Sequence, residues 1–382
     1  MSVDTYQRVF FELLRAGLWN DLKFNVDSLK FKDFQSVDWG EEDRLAEEQS
    51  VIGLVAAGLE TMPPAGRPPQ EVLLQFVGKA LQIEQQNKAM NDYVAWLIDY
   101  LRKNNIYAIL VKGQGVAQCY ARPLWRASGD IDLLLNAEGY EKAKKLLMPL
   151  ALEVQKEYKS RKHLEMTMEG GFSVELHGTM HNHLSGKTNR MIDEVQQNVF
   201  CGNVRSWQNN NISIFLPSPD NDVTLVFSHI LQHFYFGGVG LRQICDWCRL
   251  LWTYRKVIDV TLLQKRIRMA GLLTEWQAFG ALAVEYLGMP VEAMPLYSDD
   301  NKWRRKADRI IAYVMELGNF GHNRDMSYRL EKSAASRKWK TFCHLTADTI
   351  RQIPIFPMDS VKVWGNIMGM GLRSLFDNGG EK

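Results

Sequence analysis

The sequence predicts an α+β fold, with a mixed β-sheet at the centre of the chain and helical regions on either side. Three observations carry this. Apolar residues recur at helical spacing through residues 1–105 and again through 217–382, while period-two alternation takes over in 106–216. The central elements run β-turn-α-β-α-β-β-β, an order that builds a mixed sheet with helices packed on it. Pro217-Ser218-Pro219-Asp220 ends the sheet region before helical spacing returns. The chain accordingly divides into an N-terminal helical region (1–105), a central core (106–216) and a C-terminal helical domain (217–382).

In the first region, Val9, Phe10, Leu13, Leu14 and Leu18 place a helix over Tyr6–Trp19. Glu42–Met62 continues as one helical stretch through Leu45, Val51, Ile52, Leu54 and Val55. Pro63-Pro64-Ala65-Gly66-Arg67-Pro68-Pro69 interrupts, and Gln70–Asn104 resumes with Leu73, Phe76, Met90, Val94, Leu97 and Leu101 mostly on one stripe. Trp19, Trp39 and Trp96 are expected to anchor this layer, which reads as scaffold. After the core, Pro217-Ser218-Pro219-Asp220 supplies caps for a helix over Val223–Phe236. Further helices are predicted at Leu241–Tyr254, Thr261–Met269, Thr274–Leu287, Asp300–Leu317 and Lys338–Arg351, with Gly318-Asn319-Phe320-Gly321 a loop.

The core opens with an apolar strand, Tyr107–Val111, followed by Lys112 and the turn Gly113-Gln114-Gly115. A second strand carries Gly129-Asp130-Ile131-Asp132-Leu133. Alternate residues of a strand share a face, so Asp130 and Asp132 point the same way, roughly 6.5–7 Å apart, with Ile131 and Leu133 opposite. Two carboxylates on one face repel and add nothing to a core; a hard divalent cation between them explains the pattern. A helix over Ala137–Leu150 and strands Leu152–Tyr158, His163–Met168 and Gly171–His177 follow, the last two joined at Glu169-Gly170-Gly171. In the last strand Val174 and Leu176 alternate with Ser173, Glu175 and His177. Laid beside the Asp130/Asp132 strand, it makes Glu175 the third carboxylate of a cluster suited to Mg²⁺ or Mn²⁺, the ions that clamp the oxygens of a phosphoryl displacement. The glycine turn could then present backbone N–H groups to a nucleotide's phosphates, with Lys112 or Arg126 adding charge, although Arg126 pairing with a carboxylate is an equal alternative. His177, on the face of Glu175, reads as a residue beside the metal or the acceptor. The HGTMHNH stretch (His177, His181, His183) has no Cys or Glu at a zinc-ligand spacing.

The totals narrow the classes. With 46 basic and 44 acidic residues and 46% hydrophobic content, nothing calls for a nucleic-acid partner, and the cation–tryptophan runs Lys302–Lys306 and Arg337–Lys340 read as solvated helix faces. No uncharged apolar run reaches the roughly 18 residues of a spanning helix, and the opening segment lacks an export pattern. Five scattered cysteines suit a reducing compartment, so a cytoplasmic location is expected. Cys245-Asp246-Trp247-Cys248 lies in an apolar helix and reads as buried and inert.

Leu110-Val111-Lys112-Gly113, Tyr120, Arg126, Ser128-Gly129-Asp130-Ile131-Asp132-Leu133 and Val174-Glu175-Leu176-His177 resemble the bacterial "uncharacterised nucleotidyltransferase" family of the DNA polymerase β-type superfamily. Leu241-Arg242-Gln243-Ile244-Cys245-Asp246 is similar to it as well. The resemblance implies an Mg²⁺-dependent enzyme that moves NMP from an NTP to an acceptor hydroxyl and releases pyrophosphate. Asp130 and Asp132 would ligate both the catalytic metal and the nucleotide's metal in a two-metal site completed by Glu175, Glu175 would also align or deprotonate the acceptor, and Lys112, Gly113, Gln114, Gly115, Arg126 and Ser128 would meet the nucleotide. The acceptor it suggests is a sugar or sugar phosphate. Gln114, where the superfamily has a small residue, favours the alternative of a non-catalytic nucleotide-binding or scaffold module.

Overall fold

Side-chain alternation becomes a five-stranded sheet in the computed structural model, which describes residues 5–20, 37–62, 66–157, 162–323 and 334–377. Pro63–Ala65 of the predicted break and Tyr158 of the predicted third strand lie outside those residues. The chain enters through α1 (Thr5–Leu18), α2 (Trp39–Glu48), α3 (Ile52–Thr61) and the long α4 (Gln70–Lys103). The core holds β1 (Ile109–Val111), the short α5 (Gly113–Ala117), β2 (Asp130–Leu134), α6 (Ala137–Leu147), β3 (Ala151–Val154), β4 (His163–Met168) and β5 (Ser173–His177). Then come α7 (Gly186–Phe200), β6 (Val204–Asn209) and β7 (Ile212–Pro217). The C-terminal helices are α8 (Pro219–Phe236), α9 (Leu241–Tyr254), α10 (Val260–Ala270), α11 (Leu273–Glu285), α12 (Asn301–Leu317), α13 (Ala334–Gln352) and α14 (Pro357–Asp377).

The sheet order is β1-β2-β5-β4-β3, with β2 and β5 parallel and the other pairs antiparallel. One face is apolar. Ile131, Leu133, Val174, Leu176, Leu164 and Met166 pack with Val94, Leu97, Ile98 and Leu101 of α4 and with Tyr140, Ala143 and Leu147 of α6. Each such side chain contributes roughly 1.5–3 kcal/mol by leaving water, so the sheet cannot be turned over to expose it. The polar alternates of the same strands therefore face the other way, toward α8. The turn between β4 and β5 is where the glycines predicted it, and Gly170 and Gly171 both take positive φ (82° and 77°).

Four sequence expectations change. Glu42–Met62 is two helices. The chain turns at Ser50 (φ 55°) while Val51 N–H reaches back to Ala46 O, and the Gln49 side chain is drawn off to Leu241 N–H and Val314 O. Trp19 is buried with its indole N–H on Leu287 O, but Trp96 is 47% exposed, stacked on Tyr100, and anchors nothing in the core. Helix α7 and the β6–β7 hairpin were not anticipated, although Asn210 and Asn211, both at positive φ, form the two-residue turn that such a hairpin needs. Helix α8 begins at Pro219, earlier than Val223; Pro at the first helical position is preorganised for it.

The helical layers meet closely. A Cβ on Gly17 would lie 1.8 Å from Leu54 O, and one on Gly58 would lie 2.1 Å from Leu13 O, so α1 and α3 cross at glycine distance. Cys245 and Cys248 are fully buried, and Trp303 turns inward while Arg304 and Arg305 are exposed, as a solvated helix face requires. Among the described residues no helix is long and apolar enough to cross a membrane.

Candidate active site

The parallel pairing of β2 with β5 sets Asp132 directly opposite Glu175 and Asp130 opposite Ser173. Asp130, Asp132 and Glu175 each bring a carboxylate oxygen to one point, all within 4.8 Å of one another. Asp132 is almost wholly buried and the other two are partly so. Lys112 and His177 reach into the cluster. Lys112 Nζ lies 2.7 Å from Asp132 Oδ1, and His177 Nε2 lies 2.7 Å from the same oxygen and 3.3 Å from Glu175 Oε2. His163, across the sheet on β4, places its Nε2 3.0 Å from Glu175 Oε2.

Lys112 gets there through strain. Its backbone takes φ 59° and the following Gly113 takes φ 36°, so the chain breaks sharply out of β1 and the lysine swings over the carboxylates. The charges shift accordingly. The Asp132 charge first, and burial second, push the Asp130 carboxyl up to about 6. Burial pushes Glu175 up, but hydrogen bonds from His163 and His177 outweigh it and hold that carboxylate well below its usual range. Burial lowers His177 and Lys112, yet the surrounding carboxylates win and both bind their protons more tightly than usual.

Two recesses open on this face. The smaller, about 40 Å³, is lined by Lys112, Gly113, Arg126, Asp130, Asp132 and Arg242, with Phe320 at its side. The larger, about 220 Å³, runs past Glu175, His163 and His177 to His229 and His233 of α8. Arg126 makes a two-pronged ion pair with Asp246, Nε to Oδ1 at 3.0 Å and Nη2 to Oδ2 at 2.6 Å, and Tyr120 donates to the same Asp246. Of the alternatives open for Arg126, carboxylate pairing is realised, though the guanidinium still borders the recess. Arg242 differs. Its Nη1 donates to Ala127 O, but its buried Nε–H has no partner among the described residues. A buried guanidinium donor left over beside three carboxylates suits an incoming anion. His229 and His233, with Nε2 atoms 3.0 Å apart, are both held neutral by burial and by the Lys112 charge, His233 down at about 4.

Not every predicted nucleotide contact reaches the recess. Because α5 begins at Gly113, successive side chains turn by about 100°. Gln114 thus points into the core, donating from Nε2 to Asn87 Oδ1 at 2.9 Å. Gly115 is a packing glycine, since a Cβ there would stand 2.8 Å from Leu216 Cδ2. Ser128 accepts from Arg126 Nη1 and does not line either recess. Lys112, Gly113 and Arg126 do. His181 pairs with Asp193 at 2.6 Å and the His183 ring lies against Phe236, so the HGTMHNH histidines disperse. Three further residues at the site carry a sequence signal: His163 as a polar alternate to Leu164 and Met166, and His229 and His233 at i,i+4. Phe320 left none.

An acidic cleft rimmed by lysine and arginine, on the polar face of a mixed sheet, marks the class: an α+β protein whose clustered carboxylates could hold a metal ion. The chain belongs to the family described as uncharacterised nucleotidyltransferase, whose model matches residues 35–288. No curated protein and no solved structure matches it. The match runs from the residues before α2 to the end of α11, so α12 and the loop carrying Phe320 lie beyond it.

Proposed function

We propose that the protein transfers a nucleoside monophosphate from an NTP to an acceptor hydroxyl and releases pyrophosphate. The observation that carries this is the convergence of Asp130, Asp132 and Glu175 from parallel neighbours β2 and β5. An all-oxygen donor set with one strongly raised carboxyl fits a hard divalent ion, Mg²⁺ or Mn²⁺, held by these three residues. That ion would neutralise charge on the phosphates and the acceptor oxygen. The chain's own groups do the rest. Lys112 and Arg242 face the triphosphate, Arg126 stiffens the wall through Asp246, and Phe320 at the rim offers a face for the base. In the reaction the acceptor oxygen bonds the α-phosphorus in line, the bridging P–O bond to the β-phosphate breaks, and the acceptor's proton leaves to water.

The test is incubation with each NTP, Mg²⁺ and a pool of small hydroxylated molecules, sugars and sugar phosphates included, read by mass spectrometry. Products heavier by one NMP, with matching pyrophosphate, are expected. ADP as product would mark γ-phosphoryl transfer instead. Absence of both product and Mg²⁺-dependent thermal stabilisation by any NTP would leave the non-catalytic module.

A further inference from the structure

The sheet face that bears the carboxylates also bears two imidazoles beside Glu175. His163 and His177 are register partners across the antiparallel β4–β5 pair, and Glu175 is the next same-face position on β5. The two rings stack with centroids 4.8 Å apart and planes 26° from parallel. Both Nε2 atoms face one oxygen, Glu175 Oε2, at 3.0 and 3.3 Å. The three donor atoms lie within 4.8 Å of one another. Ligands bound at about 2.0–2.2 Å to a common ion stand roughly 3.0–3.5 Å apart, so small side-chain shifts close this set on a metal.

We propose that His163, His177 and Glu175 form a second metal site, for a borderline divalent transition ion of zinc-like ligand preference, adjoining the carboxylate cluster and sharing Glu175 with it. Two nitrogen donors and one oxygen disfavour Mg²⁺, which takes oxygen, and select a softer ion. The ion would take over His177 Nε2 from Asp132 Oδ1, now 2.7 Å away. Three protein ligands leave at least one position open, and it faces the 220 Å³ recess, the arrangement of a site that receives a water or substrate oxygen. If the nucleotidyl transfer proposed above holds, that oxygen is the acceptor's. The metal site itself rests only on the three ligands.

Equilibrium dialysis of the full chain against Zn²⁺ with excess Mg²⁺, the metal counted by mass spectrometry, tests this. Wild type should retain one Zn²⁺ per chain, His163→Ala should bind it at least about 10-fold more weakly, and Asp130→Asn should keep it. Zinc-edge anomalous scattering from soaked wild-type crystals should put the ion between the two imidazoles, a measurement that needs no variant. No retained Zn²⁺, equal loss in Asp130→Asn and His163→Ala, or an ion seated away from the imidazoles would overturn the proposal. Zinc bound in this way by a protein that transfers no nucleotide would refute the function above and leave the metal site standing.

Discussion

Replacing Asp130 by Asn removes one charge from a crowded carboxylate pair and keeps the shape. In metal-free protein the Asp130 carboxyl is pushed up from 3.8 to about 6, by Asp132 first and burial second, against the pull of Lys112. Each unit is worth about 1.4 kcal/mol, so the ionised group costs the fold on the order of 3 kcal/mol at neutral pH. The folded value lies above the unfolded one. Stability is therefore intact below about pH 3.8, is lost as pH rises through about 6, and is level above. Asp130→Asn in EDTA should be more stable than wild type by about 1–3 kcal/mol near neutral pH, with the gap closing toward about pH 4. Urea unfolding followed by circular dichroism across that range reads the difference. Added Mg²⁺ should reverse the order, stabilising wild type alone. A variant no more stable than wild type at neutral pH, or a gap that ignores pH, would refute the account of the site as a repelling pair awaiting a cation.

Further outcomes follow from other parts of the molecule. Arg242→Ala, which deletes the unpartnered guanidinium donor, should weaken NTP binding about 10–100-fold by calorimetry, with Arg242→Lys recovering part of it. Gly58→Ala drives a methyl into Leu13 O at the α1–α3 crossing and should cost about 1–3 kcal/mol in urea unfolding while leaving NTP affinity unchanged. Glu42 is buried, neither of its carboxylate oxygens has a partner among the described residues, and burial ahead of the Glu41 charge pushes it up to about 8. Its folded value is raised, so wild type loses stability as pH climbs from about 4.5 through about 8. Glu42→Gln should be stabilising by a few kcal/mol at neutral pH and neutral in acid, as melting across the pH range would show.

Much of this molecule is legible one element at a time. Alternation put Asp130 and Asp132 on one face of their strand and Glu175 opposite Val174 and Leu176 on its own, because a strand has period two, and burial of Ile131 and Val174 forces these carboxylates outward. Helical spacing placed most of the long helices for the same kind of reason. The break at Ser50 escaped because its cause is the capture of Gln49 by α9 and α12, and nothing near Ser50 announces it. Gln114 shows the converse: proximity to Gly113 suggested a phosphate contact, but one step along a helix turned it into the core toward Asn87.

The sequence by itself therefore determined which residues could be polar neighbours within a strand, and the α+β class, while the pairing of β2 with β5 brought Glu175 to the two aspartates. Only the tertiary structure decided who meets that cluster from elsewhere. His163 arrives through β4–β5 register, Arg242 and Asp246 through α9, His229 and His233 through α8, and Phe320 from a loop almost two hundred residues away. Local periodicity encodes the face of a strand, whereas contacts across many residues depend on how whole layers pack, and no short window of sequence carries that.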